Sequence, residues 1–130
     1  MEAGRRLGRT LEAGDTVCLY GELGAGKTVF AKGIASALGI PERDVSSASF
    51  LIVAEHEAKI PLYHIDLYRV RDEKEASALG IYDYIGGDGI AVVEWAERMP
   101  GIEGAVKVRI NITGPEKREI LIERAANPRR

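Results

Sequence analysis

Eight consecutive residues, Gly21-Glu22-Leu23-Gly24-Ala25-Gly26-Lys27-Thr28, limit what this chain can fold into more than any other feature. They match the pattern G-x-x-x-x-G-K-[ST]. In that pattern the glycines take backbone angles other residues resist, so that successive N–H groups converge on phosphate oxygens. The arrangement requires a strand before the loop and a helix after it, because the helix N-terminus completes the anion site with its dipole and unpaired N–H groups. Both flanks are present. Thr16-Val17-Cys18-Leu19-Tyr20 is a short β-prone run, and after the loop Phe30, Ile34, Ala35 and Leu38 recur at helical spacing until Gly39 and Pro41. The expected nucleotide-binding set is Glu22, Leu23, Gly24, Ala25, Gly26, Lys27, Thr28 and Val29. In it Lys27 reaches the β and γ phosphates and the Thr28 hydroxyl faces Mg²⁺.

The rest of the chain bounds the class. With 130 residues it is expected to form a single domain spanning residues 1–130. Hydrophobic residues at 45% and charged residues at 29% are ordinary for a globular chain and argue against disorder. A net charge of −2 supplies no general basic field, so any role on nucleic acid is local or delegated to a partner. Cys18 stands alone and cannot form an internal disulfide, no run of about 18 apolar residues occurs, and charge precedes any apolar stretch at the start. A cytoplasmic protein without a membrane span or secretory signal is the expectation.

Along the chain, Leu7 and Leu11 give a helical spacing ending at Ala13-Gly14, and residues 41–49 read as a loop. Residues 50–57 and 60–66 read as an antiparallel hairpin about Ala58-Lys59. Asp72 caps a short helix through Leu79, with Glu75 as its capping-box partner. Ile90-Ala91-Val92-Val93 reads as a strand covered on both faces. Residues 106–112 and 119–123 alternate about Gly114-Pro115 as a terminal hairpin. The order strand, loop, helix, then mostly strands predicts an α/β fold of the P-loop NTPase type, in three layers around a mixed parallel and antiparallel sheet.

Binding phosphate needs only the loop, whereas hydrolysis or transfer needs acids near Mg²⁺ and the attacking group. Two acids end probable strands: Asp66 after Leu62-Tyr63-His64-Ile65, and Glu94 after Ile90-Ala91-Val92-Val93. In an open α/β sheet the carboxyl ends of parallel strands line the ligand crevice, beside the loop. Asp66 and Glu94 are therefore the candidate catalytic pair and, with Thr28, the candidate metal set, either acid being able to hold the metal shell. His64 reads as a packed strand histidine, Trp95 as either core or an exposed contact beside Glu94, and Arg69 and Arg71 as solvated or phosphate-reaching. Asp83-Tyr84-Ile85-Gly86 matches D-x-x-G but follows no clear strand, and no Asn-Lys-x-Asp occurs, which turns the reading from GTP to ATP.

The loop, Ser47-Ala48-Ser49-Phe50-Leu51-Ile52-Val53, His64-Ile65-Asp66-Leu67-Tyr68-Arg69 and Val93-Glu94-Trp95-Ala96-Glu97-Arg98 occur in this order. Together they resemble the TsaE (YjeE) family, the small ATPases of bacterial tRNA threonylcarbamoyladenosine biosynthesis, over roughly residues 7–123. The resemblance implies a Mg²⁺-dependent ATPase, weak alone and coupled to a TsaB–TsaD complex, with tRNA met only through those partners and no role on DNA. It implies a Walker B role for Asp66 on Mg²⁺ or its waters. Glu94 would assist hydrolysis or couple it to partners, with Trp95 beside it and Arg69 a further partner or switch contact. A switch loop would end at Ser49 and Phe50. Where the family carries Ser-Pro-Thr-aromatic, this chain has Ala48 and Ser49, which keeps the hydroxyl and removes a φ restraint. Two other readings stand beside this one: a small-molecule kinase, disfavoured because little chain remains after Asp66 for a lid, and a non-catalytic module whose nucleotide state controls association.

Overall fold

The computed structural model describes residues 1–22, 24–45 and 52–124. Six strands form one sheet in the order β2-β3-β4-β1-β5-β6: β1 Thr16–Tyr20, β2 Val53–His56, β3 Leu62–Asp66, β4 Ile90–Glu94, β5 Val106–Gly114 and β6 Lys117–Arg124. The central four, β3-β4-β1-β5, run parallel, and β2 and β6 add antiparallel edges. Among the described residues three α-helices complete the fold: α1 Glu2–Gly8, α2 Lys27–Ala37 and α3 Glu73–Ala78. Among the described residues no helix is long and apolar enough to cross a membrane.

Alternation along the strands divides the core into two layers, as a sheet covered on both faces requires. On one face Val17 and Leu19 of β1, Val92 of β4 and Val106, Val108 and Ile110 of β5 pack under α1 and α2 through Leu7, Phe30 and Ile34. On the other, Cys18, Ile65, Ala91 and Val93 meet Leu67, Val70, Ala76 of α3, Ile81 and Met99. The three-layer α/β arrangement read from the sequence is the one observed. Helices α1 and α2 cross closely at Gly4 and Gly33, where a Cβ on either would strike the other helix's backbone.

Most expected elements form, with shifted ends. The terminal hairpin is longer than its alternation indicates, because pairing continues to Gly114 and Lys117 around a register shift. The β2–β3 hairpin forms over a shorter span than expected, and residues 50 and 51 lie outside the described residues. The helix through Leu7 stops at Gly8 rather than near Ala13. There the Thr10 hydroxyl and N–H both donate to the Leu7 carbonyl (2.7 and 2.9 Å), closing the last turn before Leu11 can extend it. Asp72 caps α3 as expected, accepting from the Glu75 N–H at 2.9 Å. The return contact differs: the Glu75 carboxylate takes the Arg71 N–H and Nε instead of the Asp72 N–H. The D-x-x-G segment begins within a 3₁₀ turn, Ile81–Tyr84, and follows no strand.

Candidate functional site

Because β1 lies between β4 and β5, the chain leaves Tyr20 at the carboxyl ends of the parallel strands. Pairing sets Leu19 beside Glu94 and Glu94 beside Asp66, so the loop and both acids meet at one end of the sheet. Within the loop, Gly24 (φ 82°) and Gly26 (φ 107°) occupy the left-handed region that glycine takes without strain. Gly26 is also the N-cap of α2 and brings no side-chain bond to its first turn. The helix start therefore keeps its N–H groups directed at the space where an anion would sit.

Lys27 is the first residue of α2 and is buried. Its Nζ donates to the Gly21 carbonyl at 2.6 Å and lies 3.5 Å from the centroid of the Trp95 ring. Burial lowers its pKa, while Glu97, Glu94 and Asp66 act in the opposite direction. The Thr28 hydroxyl donates to Glu94, 3.2 Å from Oε1 and 3.4 Å from Oε2. Glu94 Oε2 lies 2.5 Å from His64 Nε2, and both side chains are buried. His64 is thus packed in the sheet, as expected, and also bonded to a candidate catalytic acid. Asp66 accepts the Tyr68 N–H at 2.9 Å, and burial raises its pKa above the usual carboxylate value.

Trp95 is the one non-glycine residue with positive φ among those described (φ 59°, ψ 41°). A tryptophan in that conformation costs about 1–2 kcal/mol, a strain that the surrounding structure must hold. Its ring covers the Lys27 ammonium and packs at a 47° tilt against half-exposed Tyr68, with centroids 5.2 Å apart. Arg98 lies 5.9 Å from the same ring and donates to the Tyr68 and Val70 carbonyls, pinning the turn that carries Tyr68. Trp95 is therefore partly buried against the second core layer and also covers the lysine.

The structure gathers Gly24, Ala25, Gly26, Lys27, Thr28, Asp66, Glu94 and Trp95 at this site. Glu22 and Val29 are exposed on its rim, and Arg69 is exposed on the turn after β3. Leu23, Ser49 and Phe50 lie outside the described residues. Arg118 of β6 escaped the sequence reading: its Nε donates to the Ala25 carbonyl at 3.2 Å and its Nη2 to the Gly24 carbonyl at 3.4 Å. A guanidinium holding the Ala25 carbonyl on one side turns the linked Gly26 N–H to the other, while the Ala25 N–H donates to the Glu22 carbonyl at 3.0 Å. Beside it a cavity of about 530 Å³ runs from Gly24 and Val29 to Ile110, Pro115, Glu116, Arg118 and Ile120. Among the described residues no group of three or more His, Cys, Asp or Glu is placed to hold a metal alone. The donors near Thr28 are all oxygens and few, which fits Mg²⁺, an ion that keeps several waters and phosphate oxygens in its shell.

Comparison with known proteins agrees with this geometry. The family described as threonylcarbamoyl adenosine biosynthesis protein TsaE matches residues 1–122. The tRNA threonylcarbamoyladenosine biosynthesis protein TsaE of Bacillus subtilis is 42% identical over 119 residues, covering 88% of this chain and 72% of that protein. Its counterpart in Treponema pallidum is 36% identical over 121 residues, covering 92% and 89%. The crystal structure of Bacillus YdiB superposes with a TM-score of 0.74 at 33% identity, covering 92% of this chain and 74% of that one.

Proposed function

The chain belongs to the TsaE family, and from that premise we propose that it binds ATP with Mg²⁺ and hydrolyses it to drive a partner complex. Its family role is in tRNA threonylcarbamoyladenosine biosynthesis; the ATPase activity, the metal and the TsaB–TsaD complex as partner are our reading. The observation that carries it is the bond from the Thr28 hydroxyl to Glu94, which joins the phosphate loop to the acid strand.

In this reading the α2 N-terminus and the loop amides hold the β and γ phosphates. Lys27 leaves Gly21 and Trp95 to neutralise them. Mg²⁺ supplies charge neutralisation across the phosphate oxygens when bound. Thr28 would hold it, with Glu94 as the acid on the metal side, because Glu94 bonds that hydroxyl. His64 fixes the Glu94 carboxylate, keeping it aimed at Thr28. Asp66, one strand further out, orients the attacking water, and the burial that raises its pKa favours its accepting a proton. The acids lie on the β3–β4 side of the loop, so the nucleoside extends to the opposite side. There the cavity beside Val29, Pro115 and Ile120 offers apolar walls for a base, with Glu116 and Arg118 at its polar edge.

Measuring ATP turnover for the chain alone and with the TsaB–TsaD complex tests this. Slow turnover alone and faster turnover with the complex is expected. Transfer of the phosphate to a metabolite would favour a kinase, and no turnover in either condition would leave a nucleotide-controlled binding module.

A further inference from the structure

Two buried ring nitrogens have no hydrogen-bond partner among the described residues: His64 Nδ1 on β3 and His56 Nε2 on β2. They are not independent. In the antiparallel pairing of these strands His64 stands opposite Ala54 and His56 opposite Leu62, so the two histidines share one face as diagonal neighbours. Such neighbours lie about 7–8 Å apart along the backbone, within reach of aromatic side chains. The shared face is the one packed under α2, since Leu62 and Val92, the residue beside His64 on β4, belong to that core layer.

The orientation of His64 follows from its other nitrogen. Nε2 is held by Glu94 of β4, and the two nitrogens of an imidazole point to nearly opposite sides of the ring. Because β3 lies between β4 and β2, Nδ1 is turned toward β2, the strand that carries His56. The bond to a carboxylate also sets the tautomer: Nε2 carries the hydrogen, and Nδ1 of the neutral ring is an acceptor. His56 is partly buried, and burial lowers its pKa, with His64 acting in the same direction and Asp44 in the opposite one. Its ring is therefore neutral near pH 7 and has one N–H to give. No direct bond joins the two nitrogens. Folded proteins pair such buried groups or enclose a water between them, because leaving both bare costs stability.

We propose that one buried water joins them, accepting from His56 Nε2 and donating to His64 Nδ1, so that His56 is a positioning residue for Glu94. The chain His56–water–His64–Glu94–Thr28 then runs from the outer strand β2 to the phosphate loop. Each link holds the next. With Nδ1 tied to β2, the His64 ring cannot turn, and Nε2 keeps Glu94 on the Thr28 hydroxyl. The catalytic consequence rests on the ATPase reading above, whereas the bridge itself does not.

The chain has two histidines, so long-range ¹H–¹⁵N spectra of the imidazoles, compared between wild type and His56→Phe, assign both rings. His64 is expected in the Nε2–H tautomer, with Nδ1 at the shift of a hydrogen-bonded acceptor. His56→Phe keeps an aromatic ring but removes the nitrogens, and it should move His64 Nδ1 to the shift of an unbonded nitrogen. In the same variant kcat for ATP should fall about tenfold at unchanged KM. His56→Gln, whose amide can hold the water, should restore the Nδ1 shift and most of kcat. A His64 Nδ1 resonance that neither variant moves overturns the proposal, and so does a lower melting temperature with Nδ1 and kcat unchanged. A moved Nδ1 with kcat unchanged overturns the positioning role. If the wild-type chain hydrolyses no ATP, alone or with its partner complex, the ATPase reading fails, and the spectra still decide the bridge.

Discussion

On the β3–β4 side of the phosphate loop, Lys27, His64, Asp66 and Glu94 are buried and each is bonded to another group of the protein. On the β5–β6 side the loop meets a hairpin whose outer strand is exposed along its length, and one arginine crosses to it. The first side is built to place charge where water is excluded, and there each bond is strengthened by low local dielectric. The second side needs only shape and one anchor. Under the proposed function, chemistry belongs to the buried side and recognition to the open side; the acids and the cavity lie on opposite flanks of the same eight residues.

Substitutions of decreasing severity probe that division. Lys27→Ala removes the cation at the centre of the site and should weaken ADP binding about 100-fold or more by calorimetry. Unchanged affinity would break the phosphate assignment outright. Arg118→Ala, on the open side, should raise the dissociation constant about tenfold while kcat at saturating ATP stays near wild type. A fall in kcat instead would move Arg118 into the chemistry and erase the contrast. Asp66→Asn sharpens it further. The folded-state pKa of Asp66 is raised, so its charge opposes folding at pH 7 and that cost vanishes as acid protonates it. The variant should therefore melt about 2–4 °C higher at pH 7. The difference should shrink as pH falls through the raised pKa, even though turnover is lost. A variant less stable than wild type at pH 7 would show that Asp66 is a structural acid. The smallest effect is expected at the exposed edge: Ile122→Ala should cost about 0.5 kcal/mol in urea denaturation at low protein concentration, against about 3 kcal/mol for Ile65→Ala in the buried layer.

What was legible in the sequence follows the distance over which each feature is assembled. The phosphate loop is eight contiguous residues with its strand and helix adjoining, so pattern alone located it. Asp72 and Glu75 interact within one helical turn, and the cap formed as read. Asp66 and Glu94 were found because each ends an apolar run, and parallel pairing then brought them together. Other features depend on bonds between distant residues. The His64–Glu94 pair spans 30 positions, and a histidine in a strand pattern carries no mark of which acid it meets. Arg118 reaches Gly24 and Ala25 across more than 90 positions, and in the sequence it is one of several charges in an exposed hairpin. The left-handed backbone of Trp95 has no local signal either, since a tryptophan there is disfavoured and is held by what surrounds it. The early end of α1 turned on one threonine hydroxyl, a competition that periodicity does not register.

The central claim is that Glu94, fixed by His64 onto Thr28, makes this loop a hydrolase rather than a binder. Single-turnover hydrolysis of ATP by Glu94→Gln, with protein in excess and nucleotide affinity measured on the same samples, tests it most directly. ATP affinity within about threefold of wild type and hydrolysis slowed about 100-fold or more are expected. Hydrolysis at the wild-type rate with ATP fully bound would contradict the account.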